Sequence, residues 1–560
     1  TLQAGNLRAI SVAAFGTGSL SLAGGNLFLV GGQTYGTPTA TAVTVTSNAT
    51  IWSDNAAAGA GTAAILGTLS LGANTLTIGA GPNVSSGTAG VNFGLATLTG
   101  AGVINTNNSW FNSSATTLTT LASLGGGTQN LTVGGTGNLT ITGADTRTTG
   151  TLTKNGGGVL TLGTAGTTNN YASSGAITIN GGSIIVASGS VLSAATKPVL
   201  TFGAANAGGG TFNFNIASTA AVQSLGALSF LGGDGTVQST YGSATGNGGL
   251  TFSSLVARTV GASGLFMASG GTNGTTNKIV LTGVTPGANG ILIGGGAAGV
   301  AGTTAGGVYF FNAGNVNPPV AATPSDYAVY DTGGFVRAIN FATDTTFANT
   351  VAASGTTLTA SSVNQITTTS GTTGTVTLTA LQTVAGLKFA AGTTTLANGG
   401  FAVTTPSILV SGGGTATISG AGAIGASTAD LLVRTDSSTD SLTINSVIGG
   451  SGGITKTGAG TLTVGSGTNT FTGNIFINQG VFAFTTSYNN LDSNTSLGAA
   501  GARNIYLNGG TFKNASGATF NPAASTKVIN VQLAGGTVDL NGQQFQLDDA
   551  SQLAGAGNLT

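Results

Sequence analysis

Across residues 19–32 the chain reads SLSLAGGNLFLVGG, with Leu20, Leu22, Leu27 and Leu29 at alternate positions and small or polar residues between them. The same alternation recurs in GTLSLGANTLTIGAG (67–81), QNLTVGGTGNLTITG (129–143), TATISGAGAIG (415–425), NIYLNGGTF (504–512) and NVQLAGGTVDLNG (530–542). A period of two sets every second side chain of an extended segment against one apolar side, so each run predicts short strands. Gly or Asn ends each strand within a few residues, and strands this short make no stable sheet alone. Stacked coil upon coil they bury a common face. The expected fold class is therefore all-β, a β-solenoid with essentially no α-helix.

Composition sharpens this picture. Gly accounts for 99 of the 560 residues, charged residues for 5%, and all 13 acids are Asp; Glu, His and Cys are absent. Helices draw on Ala, Leu, Glu, Lys, Gln and Arg with a charged wet face, and Gly interrupts any such stretch here. The corners of a solenoid need Gly or Asn, which tolerate positive φ, and outward Thr suits stacked strands. Collagen needs Gly at every third position with abundant Pro, whereas the chain has 9 Pro and no such period. Disorder goes with low hydrophobicity, whereas 40% of these residues are hydrophobic and mean hydropathy is +0.34. A formal charge of +0 gives no electrostatic footprint for nucleic acid or an anionic membrane surface. No secretory signal or long apolar run is visible, so no membrane span is expected in this chain.

One sequence unit is written twice. GTLTKNGGGVLTLGTAGTTNNYASSGAITINGGSIIV begins at Gly150, and GGITKTGAGTLTVGSGTNTFTGNIFINQGVFAF begins at Gly452. Both run Leu/Ile-Thr-Lys, glycines, a strand, a Thr/Asn stretch, Ile-x-Ile-Asn-x-Gly and another strand, which delimits repeats at 150–187 and 452–484. Three of the nine Pro fall in NVNPPVAATPSDYAVYDTGG (315–334), beside Asp326, Tyr327, Tyr330 and Asp331. Pro is excluded from central ladder positions, so this stretch reads as an irregular loop. It divides a first solenoid block, 1–337, from a second, 338–560, within one continuous rod.

The second copy closely resembles the autotransporter-associated β-strand repeat, whose pattern is near G-G-L-T-K-x-G-x-G-T-L-x-L, then N-x-Y-x-G, a strand, N-x-G and a strand. Gly453, Lys456, Gly458, Gly460, Leu462, Asn469, Phe471, Gly473, Asn478 and Gly480 fall on it, with Phe471 in the usual place of Tyr. The first copy places Lys154, Gly156, Gly158, Leu160, Asn170, Tyr171, Gly175, Asn180 and Gly181 likewise, with a longer middle. The resemblance implies a right-handed parallel β-helix, passenger-like, from a large secreted or surface protein of a Gram-negative-type bacterium. It implies little about a ligand. The membrane β-barrel that closes such proteins has no counterpart in the closing GAGNLT of this chain.

Candidate chemistry is thin. GAGAIG (Gly420 to Gly425) fits G-x-G-x-x-G, but no helix follows to receive a pyrophosphate, so a tight corner is the reading. GGSGG (Gly449 to Gly453) fits the nucleophile elbow, yet the chain has no His to serve as base. GGDGT (232–236) resembles half of a Ca²⁺-binding nonapeptide, which needs tandem copies to share an ion, and Asp234 stands alone. Asp436, Asp440, Asp548 and Asp549 read as solvated turn residues, with a weak Ca²⁺ site as the alternative. Trp52, Trp110 and Tyr171 read as core or corner aromatics, with sugar stacking as the alternative. Sequons such as that at Asn48 are expected by chance in an Asn/Thr-rich chain. No catalytic, cofactor-binding or metal-ligating residue is assigned, and no cofactor is expected.

The sequence points first to an extracellular structural β-solenoid, secreted or held at an outer-membrane surface. It would form or decorate a bacterial fibre, sheath or matrix by self-association into a filament or sheet. Low charge leaves little repulsion between copies, and open solenoid ends offer unpaired strand edges. An adhesin passenger that binds a surface or glycan is the alternative. A polysaccharide lyase or hydrolase is third, because the acids are too scattered for paired-carboxylate catalysis. At roughly 20–25 residues and about 4.8 Å per coil, the rod would be on the order of 110–130 Å long. The closing GNLT, Gly557 to Thr560, stands where both copies continue into Lys, so further solenoid is expected beyond Thr560 and, equally, before Thr1.

Overall fold

The computed structural model describes residues 1–36, 38–108, 114–164, 169–187, 189, 191–204, 208–216, 221–242, 246–284, 309–314, 320–352, 354–368, 373–425, 430–465, 468–485, 495–517, 526–544 and 552–560. The alternating runs are pairs of strands. Residues 19–32 give Leu20–Leu22 and Asn26–Val30, residues 67–81 give Leu69–Leu71 and Thr75–Ala80, and residues 129–143 give Leu131–Gly134 and Asn138–Ile141. Among the described residues the helical positions are the 3-10 turn Thr495–Leu497 and Gln552. No helix among them is long and apolar enough to cross a membrane.

The chain folds as two compact units. The first holds Thr1–Thr201, Thr211–Ala227 and Ser239–Thr251; the second holds Phe202–Gly210, Leu228–Gln238 and Phe252–Thr560. In the first, one sheet adds parallel strands in the order Asn6–Ala9, Asn26–Val30, Ala49–Asp54, Thr75–Ala80, Gly102–Asn107, Leu131–Gly134, Leu152–Lys154 and Ile177–Ile179. A second sheet takes the intervening strands, from Leu20–Leu22 through Val84–Leu98 to Ser183–Val186. Each coil gives one strand to each sheet, so the chain is a parallel β-solenoid. Leu131 pairs with Leu152 and Leu152 with Ile177, so consecutive coils here advance by 21 and 25 residues.

The second unit repeats the plan with ten strands from Ala348–Ala352 to Leu553–Gly555 and eight from Thr373–Thr377 to Thr537–Asp539. Register places like on like. Ile454, Ile475, Ile505 and Ile529 pair in succession along one inner column, and Leu462, Phe482 and Phe512 along another. All seven are buried, and burying each such side chain contributes about 1.5–3 kcal/mol.

Among the described residues of this unit the parallel plan is interrupted at one place. Tyr309–Asn312 runs parallel to Ala262–Ser269, but Asp326–Tyr330 pairs with it antiparallel, and Val336–Ala338 pairs antiparallel with Asp326–Tyr330. Within the stretch 315–334 that the sequence suggests is an irregular loop, Asp326–Tyr330 is thus a strand, with Tyr327 and Tyr330 buried. The Pro-Pro pair lies among residues outside the described set.

Candidate functional site

In both repeat copies the motif lysine points inward. Leu152 and Lys154 are buried on either side of a half-buried Thr153, which puts the lysine stem on the core side of its strand. Lys154 Nζ donates to Asn155 O at 2.6 Å and Gly156 O at 3.0 Å. Lys456 Nζ donates to Thr457 O (2.8 Å), Gly458 O (2.6 Å) and Gln479 O (3.1 Å). Gln479 belongs to the next coil, because Lys456 pairs with Ile477. Lys456 therefore staples one corner to its neighbour from inside, while Lys154 braces its own corner, and Gly156 and Gly458 at these turns take φ of 69° and 74°.

The structure moves two positions of the first copy by one residue. The glycine that stacks on the corner with positive φ is Gly480 (67°) in the second copy and Gly182 (66°) in the first, not Gly181. The asparagine two residues before the buried aromatic is Asn469 before Phe471 and Asn169 before Tyr171. Asn469 Oδ1 accepts from Ile448 N at 2.7 Å, and Asn169 Nδ2 donates to Thr142 O at 2.8 Å, while Asn170 is exposed. The aromatic sets the frame, and the extra residues that follow Tyr171 had obscured it.

Burial brings the Lys154 amine down from 10.5 to about 8, and pushes Lys456 well below its ordinary value, with Arg434 adding to the effect. Below pH 8 Lys154 is charged whether folded or not, and the folded state bears the cost of burying an ammonium. Between about pH 8 and 10.5 the folded chain loses the proton first, so stability rises with pH, by about 3 kcal/mol in all. Tyr171, Tyr309 and Tyr327 are raised mainly by burial. They stay neutral when folded, so stability falls again above about pH 10. Urea midpoints measured from pH 7 to 10 are expected to climb, and to climb less in Lys154→Met. A flat profile in the unsubstituted chain would refute this.

The acids are engaged within the second unit. Asp436 accepts from Arg434 Nε and Ser325 N, both at 2.7 Å, and Asp234 from Ser263 Oγ at 2.6 Å and Arg434 Nη1 at 3.5 Å. Asp440 accepts from Gly413 N and Gly414 N at 2.8 Å, and from Ser437 N and Oγ at 2.7 Å. Asp436 and Asp440 are buried, so they are not the solvated turn residues the sequence suggests. Turns that look exposed in one dimension close onto other coils in three. Arg258 grips Asp430 with both Nη atoms (3.1 and 2.8 Å), and Lys388 pairs with Asp326. Asp548 and Asp549 lie outside the described residues.

Of the aromatic candidates, Tyr171 is buried and donates to Ile141 O at 2.9 Å, which makes it a core residue. Trp52 is half-buried on the outer face, stacked on Phe28 with ring centroids 6.2 Å apart. Trp110 lies outside the described residues. Gly420 and Gly425 sit at strand ends with no helix between, and Gly449–Gly453 leads directly into the strand Ile454–Thr457.

A feature the sequence did not signal lies beside the antiparallel strands: an open cleft of about 700 Å³, lined in part by Asn273, Asp331, Arg337, Asn340, Phe341 and Gln365. Arg337 donates Nε to Asp331 Oδ2 at 2.6 Å, Nη1 to Asp344 Oδ2 at 2.7 Å and Ala338 O at 2.9 Å, and Nη2 to Asp344 Oδ1 at 2.9 Å. Burial raises the Asp331 and Asp344 carboxyls, but hydrogen bonds from Arg337 and from backbone amides outweigh it and hold both below the usual range. Asn273 Nδ2 donates to Val336 O at 3.1 Å, and its buried Oδ1 has no partner. The Lys388 ammonium lies 5.3 Å from the Phe341 ring centroid.

A stretch of 136 residues, 24% of this chain, is 36% identical to part of a Brucella suis biovar 1 (strain 1330) protein described as the adhesin BmaC autotransporter. The matched stretch spans 3% of that protein's length. No family model and no solved structure matches the chain.

Proposed function

We propose that the chain is part of a cell-surface adhesin passenger of the autotransporter kind, a β-solenoid that presents a binding face at the outer-membrane surface. The likeness to an autotransporter adhesin carries this reading, and it supports adhesion over the self-associating fibre that composition put first. The interruption of the parallel ladder by antiparallel strands adds weight, because a purely mechanical rod has no need of a cleft there. Catalysis is disfavoured. Asp234, Asp326, Asp436 and Asp440 are each tied to a cation or to several donors inside the fold, which leaves no free pair among them for acid–base work.

The test is adhesion of beads that carry the purified chain. Such beads are expected to adhere to a cultured cell monolayer severalfold better than beads coated with an unrelated protein, while sedimentation shows the free chain as a single species. Coated beads no stickier than the control, with the free chain polymerising, would return the reading to a fibre.

A further inference from the structure

We propose that the cleft around Arg337 is a binding site for a short neutral saccharide; this rests on the adhesin reading and names the ligand class. At about 700 Å³ the cleft falls within the roughly 300–1,000 Å³ typical of small-ligand sites. An arginine in a cleft usually suggests an anion receptor, but this one is spent. Four bonds to Asp331, Asp344 and Ala338 occupy four of its five N–H donors. Two carboxylates surround one guanidinium, so the site carries no surplus positive charge to attract a phosphate, sulfate or carboxylate. Lys388, the cation beside Phe341, is itself paired with Asp326.

What the cleft does present is neutral. Asn273 forms part of the cleft wall, and its Oδ1 is buried there with no partner in the fold, an unmet acceptor at the wall. Gln365 is half-buried on the strand Val363–Thr367, and its amide can both give and accept a hydrogen bond. Asn340, another lining residue, holds the loop by accepting from Ala342 N through its own Oδ1, which leaves its amide nitrogen as a donor. Phe341 supplies an apolar ring beside these groups, and the C–H face of a pyranose is its natural complement. Planar amides with one ring and a neutralised charge pair match a polyhydroxylated, uncharged ligand.

An array bearing neutral oligosaccharides beside sialylated and uronic-acid-containing ones, probed with the full chain, decides the matter. The expected result is binding to a subset of neutral glycans that is unchanged between low and high salt. Gln365→Ala should weaken that binding about fivefold and Phe341→Ala about tenfold. Gln365→Ala removes only a half-buried amide, so it keeps the test valid if Phe341→Ala unfolds. Preference for acidic glycans, salt-sensitive binding, silence on the array, or full binding by both variants would each overturn the assignment. The bead assay separates the two levels: if Gln365→Ala beads adhere to cells as well as the parent, the cleft loses its role and the adhesin reading stands.

Discussion

Replacing Arg434 with Met is expected to destabilise the second unit by about 3–5 kcal/mol, the usual cost of removing one partner from a buried charge group. Arg434 is fully buried on the strand Leu431–Thr435. It serves Asp436 and Asp234 at once and lies 5.3 Å from the Phe310 ring centroid. Burial alone would lower its affinity for a proton, but the two carboxylates outweigh burial and raise it. Met keeps much of the volume and removes the charge, so the buried Asp436 and the half-buried Asp234 lose their common cation. Asp436 retains Ser325 N and Asp234 retains Ser263 Oγ, which is too little for two anions. The combined variant Arg434→Met, Asp436→Asn, Asp234→Asn should recover most of the loss, because it removes the charge group whole. Urea unfolding measures both, and a loss under about 1 kcal/mol for Arg434→Met would contradict the account.

The second large effect separates neighbouring glycines. A Cβ on Gly158 would sit 1.8 Å from Gly137 O on the adjacent coil, whereas one on Gly157 would meet nothing within 4 Å. Gly158 N also donates to Gly135 O at 3.0 Å, so the coils cannot part there without losing a hydrogen bond. Gly158→Ala is expected to cost about 3 kcal/mol or more, from steric overlap together with the lost bond. Gly157→Ala is expected to be neutral or to stabilise by up to about 1 kcal/mol, because it only restricts the unfolded chain. Thermal unfolding of the two variants side by side settles this. Equal behaviour would mean that the coil spacing at this corner is not what makes Gly158 necessary.

The strands were legible because alternation is local: Leu20, Leu22, Leu27 and Leu29 declare their inward side without reference to the rest of the chain. The repeat was legible too, as were its lysines, though not their task. Nothing in Leu-Thr-Lys says that the ammonium turns in to meet carbonyls of its own corner. The destinations of the charges were hidden for a different reason. Arg258 and Asp430 are 172 residues apart, and Arg434 and Asp234 are 200 apart. Period-two patterning tells which residues face away from a coil's interior but not what those residues meet. Asp436 and Asp440 therefore looked wet. The cleft was invisible for the same reason, since Asn273, Arg337 and Gln365 come from separate segments that only the antiparallel strands bring together.

The withdrawal of cations from the surface has a consequence for proteolysis. Arg147, Lys154, Arg258, Lys388, Arg434, Lys456, Arg503 and Lys527 are buried, eight of the 13 basic residues in the chain. A trypsin-like protease must seat a Lys or Arg side chain in its specificity pocket with the flanking backbone drawn out as an extended strand. Here these eight side chains are withdrawn from solvent, and the backbone at Lys154, Lys388, Arg434 and Lys456 is already held in ladders on both sides. At these eight sites cleavage must wait for the coils to open, so their lifetime against such a protease is governed by unfolding and not by the number of basic residues written in the sequence.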